Sequence, residues 1–424
     1  MQDAMNISTR KVKPEGMKVI TECRMCHKKN LHSFLSLGPI PLSNSFLSKD
    51  QLSKPEPYYP LDVHFCSDCG LVQLGQVIDP ELMFKDYAYL TGTSSPMKTH
   101  FTSLAKRVTK KFNTPKGSLI VDIGSNDGTL LDCFKTLDMK VLGIEPATNV
   151  AKLAMSRGIE TLDSWFSKEL AQNICSVRGK PRVILATNVF AHVHDIDGFI
   201  RGIINLMDSD SVFIIEVPYL IDMLDKVEFD TIYHEHLSYI SLRPLVTFFK
   251  EFGMDIIDVE RIDVHGGSLR VYVQKDSASS SSTVKQLLEL EIKTKLDSIE
   301  TYRRFATSVG RIKAELTSLL NDLKGRGARI SGYGAPAKGN ILLNFCQIGT
   351  EILDYVSDTT PFKQGRYTPG MHIPIYPENH FHKSPPDYAL LLAWNYLDDI
   401  LRKEDGYRKT GGKFIVPIPK PQIV

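Results

Sequence analysis

Four short apolar runs, at residues 118–123, 140–145, 181–187 and 211–217, alternate with amphipathic stretches of helical length. Runs that are apolar on both faces belong to buried parallel strands, so the alternation predicts an α/β sheet. A helix is expected just before them, over about 97–112. Two more runs, 255–260 and 269–274, flank a Gly-Gly turn and read as an antiparallel pair at the closing edge of that sheet. The serine run 277–282 reads as a linker into a long polar helical segment over 284–323. Beyond it, 328–333, 352–357, 388–394 and 413–417 read as the strands of a second, smaller α/β unit.

The segment before about residue 85 is different. It is rich in Cys, Pro and turn residues and shows little periodicity, so it is expected to be a small domain held by something other than an apolar core. Cys23-x-x-Cys26 and Cys66-x-x-Cys69 supply two thiolate pairs, enough to close one tetrahedral Zn²⁺. Four sulfurs leave no position for water or substrate, so such a metal is structural. The gap of about forty residues between the pairs exceeds ribbon spacing, and four unrelated free thiols is the alternative. His27, His32 and His64 lie nearby and read as bystanders.

Lys and Arg total 51 against 49 Asp and Glu, a net charge of +2, so no global field would hold a nucleic acid. The sequence shows neither a secretory leader nor an apolar run of bilayer length. The expectation is a cytoplasmic protein without membrane or nucleic-acid partners, monomeric or weakly homo-oligomeric. A chain of 424 residues should divide into two or three domains.

Val121-Asp122-Ile123-Gly124-Ser125-Asn126-Asp127-Gly128 follows the first strand and opens a helix, where a glycine-lined turn lets a ligand approach the backbone. Glu145 ends the next strand, placed to accept from a ribose diol. A dinucleotide fingerprint would want G-x-G-x-x-G, whereas Asn126 and Asp127 occupy this turn, and a carboxylate there repels pyrophosphate. The ammonium and sulfonium of S-adenosylmethionine suit acidic and amide groups instead. Asp163 and Trp165-Phe166 fall at the end of the third strand, where they either flank an adenine or, for the two rings, fill core. Asn188 closes the fourth strand beside the expected methyl-transfer position.

Titratable groups concentrate in two segments at strand ends: Asn188 to His192, and Tyr233-His234-Glu235-His236 followed by Tyr239. In an open α/β sheet such ends face the ligand crevice, and histidine is the side chain best poised for proton transfer near neutral pH.

These residues, together with the CxxC pairs, VDIGSNDGTLL, EVPY, FDTIYHEHLSY, HGGSLR and GYGAPAKGN, resemble the sugar C-methyltransferases that make branched-chain deoxysugars. The likeness runs through nearly the whole chain. It implies a zinc-binding domain (18–85), a class I S-adenosylmethionine-dependent methyltransferase core (86–280), and a linker helix with a C-terminal Rossmann-like domain that helps bind the substrate nucleotide (281–424). It further implies methylation at C3 of a nucleotide-linked 4-keto-6-deoxysugar, with His236 as general base, Tyr233, Glu235 and His192 assisting, and Tyr87 facing the site with Tyr89 as its rival. Removing a proton next to a ketone needs a base and donors for the enolate oxygen, which these residue types supply. An O- or N-methyltransferase on a sugar or other metabolite is the alternative.

His265 and Arg270 of HGGSLR could touch substrate or simply form a tight turn. Tyr333, Lys338 and Asn340 of GYGAPAKGN follow a strand and open a helix, where amides and a cation could hold a diphosphate. A dinucleotide fold kept for packing is the other possibility. Lys363 and Arg366 are further phosphate candidates.

Overall fold

The computed structural model describes residues 16–84, 87, 90–93, 95–264, 266–276 and 280–424. Its centre is a seven-stranded sheet: β1 (Leu119–Ile123), β2 (Lys140–Glu145), β3 (Thr161–Asp163), β4 (Val183–Thr187), β5 (Val212–Pro218), β6 (Met254–Ile262) and β7 (Ser268–Lys275). The spatial order is β6-β7-β5-β4-β1-β2-β3. β1 to β5 run parallel, while β7 pairs antiparallel with both β5 and β6. Strands β1, β4 and β5 are apolar on both faces because helices cover both, and Ile120, Val121, Ile184, Leu185 and Ile214 are all buried. The order reverses between β1 and β4, which opens a crevice at their carboxyl ends. Gly266 and Gly267, at φ +97° and +130°, turn the chain towards β7. A Cβ on Gly267 would stand 2.3 Å from the Asp222 carboxyl carbon.

The segment expected as one long helix is two, Ser282–Lys293 and Ile299–Gly325, broken where Lys295 takes φ +56°. Ser281 stands just before the first and its hydroxyl donates to Asp258 rather than capping the helix. The helix is fastened further by buried Glu291, which accepts from the amides of Leu242 and Arg243 and from the Tyr219 hydroxyl. The C-terminal unit is a second sheet, β8 (Ile330–Tyr333), β9 (Val356–Ser357), β10 (Ile375–Tyr376), β11 (Tyr388–Leu391), β12 (Lys413–Val416) and β13 (Gln422–Ile423), ordered β10-β9-β8-β11-β12-β13. All its pairings are parallel except the last. That is the doubly wound order of a Rossmann-like fold.

The N-terminal segment departs from expectation. It carries a four-stranded antiparallel sheet built from Leu31–Ile40, Tyr59–Cys66, Val72–Leu74 and, from far along the chain, Ser238–Tyr239. Leu35, Leu37, Leu61, Val63 and Phe65 are buried, so this domain has an apolar core. The ring of Tyr302, on the helix Ile299–Gly325, lies 5.0 Å from Phe34 and 4.7 Å from Phe65. Two register shifts in Leu31–Ile40 hide its period of two, and the core is completed by residues more than two hundred positions away in sequence, about twice a typical domain's length. Among the described residues, no helix is long and apolar enough to cross a membrane.

Candidate active site and metal centre

The two cysteine pairs converge. Cys23 Sγ is 3.6 Å from Cys69 Sγ and Cys26 Sγ is 3.6 Å from Cys66 Sγ, with all four sulfurs within 4.8 Å of one another. A tetrahedron of 2.3 Å zinc–sulfur bonds has edges of about 3.8 Å. Each pair sits in the same knuckle: the residue after the second cysteine, His27 or Gly70, takes positive φ, and its amide bonds the carbonyl of the first cysteine. The Cys69 hydrogen bond pulls the Cys23 thiol down to about 5, while burial with the Cys23 charge pushes Cys26 up to about 12, and the hydrogen bond to Cys23 together with burial pushes Cys69 up as well. Four thiolates this close call for a cation, which fits zinc. His27 pairs with Asp197 and His32 with Ser67, away from the cluster.

At the carboxyl ends of β1, β2, β3 and β4, Gly124, Asn126 and Gly128 all take left-handed φ. Glu145 ties the turn together, accepting from the Asn126 amide at Oε2 and the Ala147 amide at Oε1, each at 2.9 Å. Burial raises its carboxyl, and raises Asp122 beneath it still more. Asp122 Oδ1 and Ser125 Oγ are buried without a hydrogen-bond partner among the described residues. Exposed Asp163 accepts from Thr148 Oγ1. Trp165 is 48% exposed, which removes the core reading for it, whereas Phe166 packs on Phe199 with centroids 5.3 Å apart. Asn188, at φ +57°, holds the Glu216 carbonyl through its own amide. The resulting crevice is acceptor-rich and edged by a flat ring, chemistry that fits an adenosyl group with a cationic tail. Asp127 is a correction: fully buried, it accepts from the Gly92 amide and Thr129 and pairs with Arg157 at 3.0 Å, so it holds the turn from behind rather than facing a ligand.

The histidine segment meets the end of β4 directly, because the Leu237 amide bonds the Ala191 carbonyl at 2.8 Å. His236 Nδ1 lies 2.8 Å from the Thr231 carbonyl, which only accepts, so Nδ1 carries the proton and Nε2 presents its lone pair. The Tyr233 hydroxyl donates to that Nε2 at 2.8 Å. The ring of His192 is 5.0 Å from that of His236, and desolvation draws His192 down to about 4, keeping it neutral. Glu235 does not reach the imidazole. Its Oε1 accepts from Asn44 Nδ2 at 2.6 Å and its Oε2 from the Tyr87 hydroxyl at 3.3 Å, and burial pushes its carboxyl up to about 7. His234 turns away, its Nε2 donating to the carbonyls of Tyr59 and Pro60. Sequence reasoning missed Thr231, Asn44 and Phe84. The Phe84 ring stands 5.5 Å from Tyr87, 6.1 Å from Trp165 and 5.9 Å from His192, and no motif marks it.

Tyr89 and His265 lie outside the described residues. Arg270 is a second correction: it is 3% exposed and clamped between Glu216 and Glu260, each at 2.9 Å, with His100 on the other oxygen of Glu216. Buried Tyr333 donates to Glu404 at 2.6 Å, within the C-terminal unit. Lys338 Nζ is 3.6 Å from Glu228 and 5.1 Å from the Trp394 ring, while Asn340 Nδ2 donates to the Ser43 carbonyl. Asn340 Nδ2 is thus taken up at the contact with the zinc-binding domain, whereas Lys338 Nζ is buried beside Glu228 without a hydrogen-bond partner among the described residues. Lys363 donates to the Ala335 carbonyl and Arg366 to that of Phe46.

A sheet in this order, parallel from β1 to β5 with β7 antiparallel beside them, and with a glycine turn and acidic strand ends at its switch point, defines a class I S-adenosylmethionine-dependent methyltransferase. Three family models divide the chain: a zinc binding domain over 23–84, a methyltransferase domain over 97–259 and a C-methyltransferase C-terminal domain over 263–419. The C-methyltransferase NovU of Streptomyces niveus is 36% identical over 410 residues, covering 96% of this chain and 98% of its own. The chain belongs to this C-methyltransferase family and uses S-adenosylmethionine as methyl donor, with structural zinc in its thiolate cluster. Fainter likenesses exist to the magnesium protoporphyrin IX methyltransferase of Synechocystis PCC 6803 (12% identity, 42% of this chain and 79% of that one, TM-score 0.33). The plantazolicin methyltransferase BpumL is similar at 14% identity, 44% of this chain and 87% of its own, TM-score 0.36.

Proposed function

We propose that the protein methylates C3 of a nucleotide-linked 4-keto-6-deoxysugar through α-proton abstraction and an enolate. The observation that carries this is the Thr231–His236–Tyr233 relay, an imidazole held in its basic tautomer at the end of the cofactor strand. Transfer to oxygen or nitrogen needs no carbon-acid base.

Bound S-adenosylmethionine supplies an electrophilic methyl group. His236 Nε2 takes the proton from the sugar carbon, and the proton stays on the imidazole while Thr231 keeps the ring in place. Tyr233, released from Nε2 as the substrate enters, donates to the oxygen where enolate charge develops, with neutral His192 and Tyr87 as further donors. Glu235 holds a sugar hydroxyl. Asp122, Gly124, Asn126, Gly128, Glu145, Asp163, Trp165 and Asn188 line the donor site. The amides opening the helix Ala337–Cys346, with Lys338 and Lys363 near them, receive the diphosphate, and Lys338 must leave Glu228 to do so.

The test is incubation with a panel of nucleotide-linked 4-keto sugars in deuterated buffer without methyl donor. Deuterium entering the α-carbon, and a methyl appearing there once donor is added, is the expected result. Methyl transfer to oxygen with no α-exchange would overturn the reading.

A further inference from the structure

The loop at residues 41–47 leaves the zinc-binding domain and runs between the other two units. At its C-terminal side Leu47 bridges Tyr367 through both backbone directions, and the Ser43 carbonyl accepts from Asn340. Phe46 lies under Lys363 at 5.3 Å and gives its carbonyl to Arg366. Anchored this way on the C-terminal unit, the loop projects Asn44 the other way, where Nδ2 reaches Glu235 Oε1 at 2.6 Å. This is the shorter of the two hydrogen bonds on a carboxyl that is 5% exposed. The other comes from the Tyr87 hydroxyl.

We propose that Asn44 is a positioning residue for the catalytic carboxyl of Glu235, delivered to the active site by the zinc-binding domain. The argument rests on Glu235 acting in the reaction, as proposed above. Asn44 donates and the carboxylate accepts, so the contact orients Oε1 and favours its charged form against burial. With Asn44 in place, the second oxygen is fixed towards Tyr87 and the substrate space. Because the same loop is clamped to Asn340, Lys363 and Tyr367, docking of the C-terminal unit sets where Asn44 stands. That links the unit expected to hold the nucleotide to the carboxyl expected to meet the sugar.

Two isosteric variants of the full-length, zinc-loaded enzyme test this: Asn44→Leu removes the donor, and Asn44→Asp also adds a like charge. Both should lose roughly tenfold to a hundredfold in kcat, the size of a lost charged hydrogen bond, with donor affinity, zinc content and melting temperature near wild type. The carboxyl titration of Glu235, read as the infrared band that vanishes in Glu235→Gln, should move to higher pH in both, and further in Asn44→Asp. An unchanged Glu235 band and an unchanged kcat in both variants would overturn the proposal. If Glu235→Gln alone proves fully active, the role of Glu235 fails, and the shift of its band still decides whether Asn44 governs that carboxyl. If Asn44→Leu fails to load zinc, Asn44→Ser, which keeps a donor on a shorter side chain, takes its place and should give intermediate values; a wild-type kcat and a wild-type Glu235 band in both Asn44→Ser and Asn44→Asp would also overturn it.

Discussion

Thr231 and His236 are joined by a 2.8 Å hydrogen bond from Nδ1 to a backbone carbonyl, so the tautomer of this imidazole, the base proposed above, is set by the main chain rather than by a carboxylate. Glu235, next in sequence to the base, plays no part in that bond and faces the zinc-binding domain instead. The orienting group therefore cannot be removed by a side-chain mutation, whereas the base can.

His236→Asn should reduce turnover by at least about a hundredfold, the lower bound for loss of general-base help. Donor binding, measured by calorimetry, should stay within a few-fold of wild type because the cofactor crevice is built from other residues. Near-normal turnover in this variant would remove His236 from the mechanism.

Glu235 has a carboxyl held up at about 7 by burial, against 4.5 in the unfolded chain. Between those values the folded chain keeps a proton that the unfolded chain has released, so this group's stabilisation is complete below the lower value and is lost as pH rises towards 7. Glu235→Gln should match wild type near pH 4.5 and exceed it above pH 7, by up to about 3 kcal/mol. Denaturation midpoints measured across that range will show it, and parallel curves for the two proteins would contradict it. Glu228, also raised to about 7, gives wild type a second contribution of the same sign.

Chelation of zinc, or Cys69→Ser, should stop catalysis before it stops donor binding. Metal binding at such sites is worth about 10–16 kcal/mol, so its loss should loosen the zinc-binding sheet. Ser238–Tyr239 pairs with Val72–Leu74 in that sheet only two residues after His236. Hydrogen exchange should speed up over residues 229–241 while β1 and β2 stay protected.

Arg270→Met leaves the buried Glu216 carboxylate with His100 as its remaining side-chain partner, and should lower stability by about 3 kcal/mol. Substrate KM of the protein that remains folded should not change. A large KM increase at unchanged melting temperature would restore Arg270 to the binding site.

Much of this was legible in sequence where the signal is local. The span 140–145 coincides with β2, and the other expected central strands shift by no more than two residues at their ends, because buried parallel strands write continuous apolar runs. The four cysteines converge as their spacing implied. What escaped is non-local. Asn44 meets Glu235 across 191 residues, and nothing near either one marks the meeting. Asp127 and Arg270 read as ligand-facing because acid in a glycine turn and cation beside one are ligand chemistry, yet Arg157 and Glu216 claim them first. Ile352 to Tyr355 reads as strand from its apolar composition, but its amides serve turns and edge contacts, and only Val356–Ser357 pairs as strand.

The two residues Ser238–Tyr239 also govern the order of events during synthesis. A ribosome releases the cysteine pairs long before it has made the fourth strand of their sheet, and later still the tyrosine at 302 that fills their core. The nascent amino-terminal segment must wait, unfinished, until the middle of the chain emerges. Fragments cut at residue 85 should accordingly aggregate unless the downstream piece is supplied.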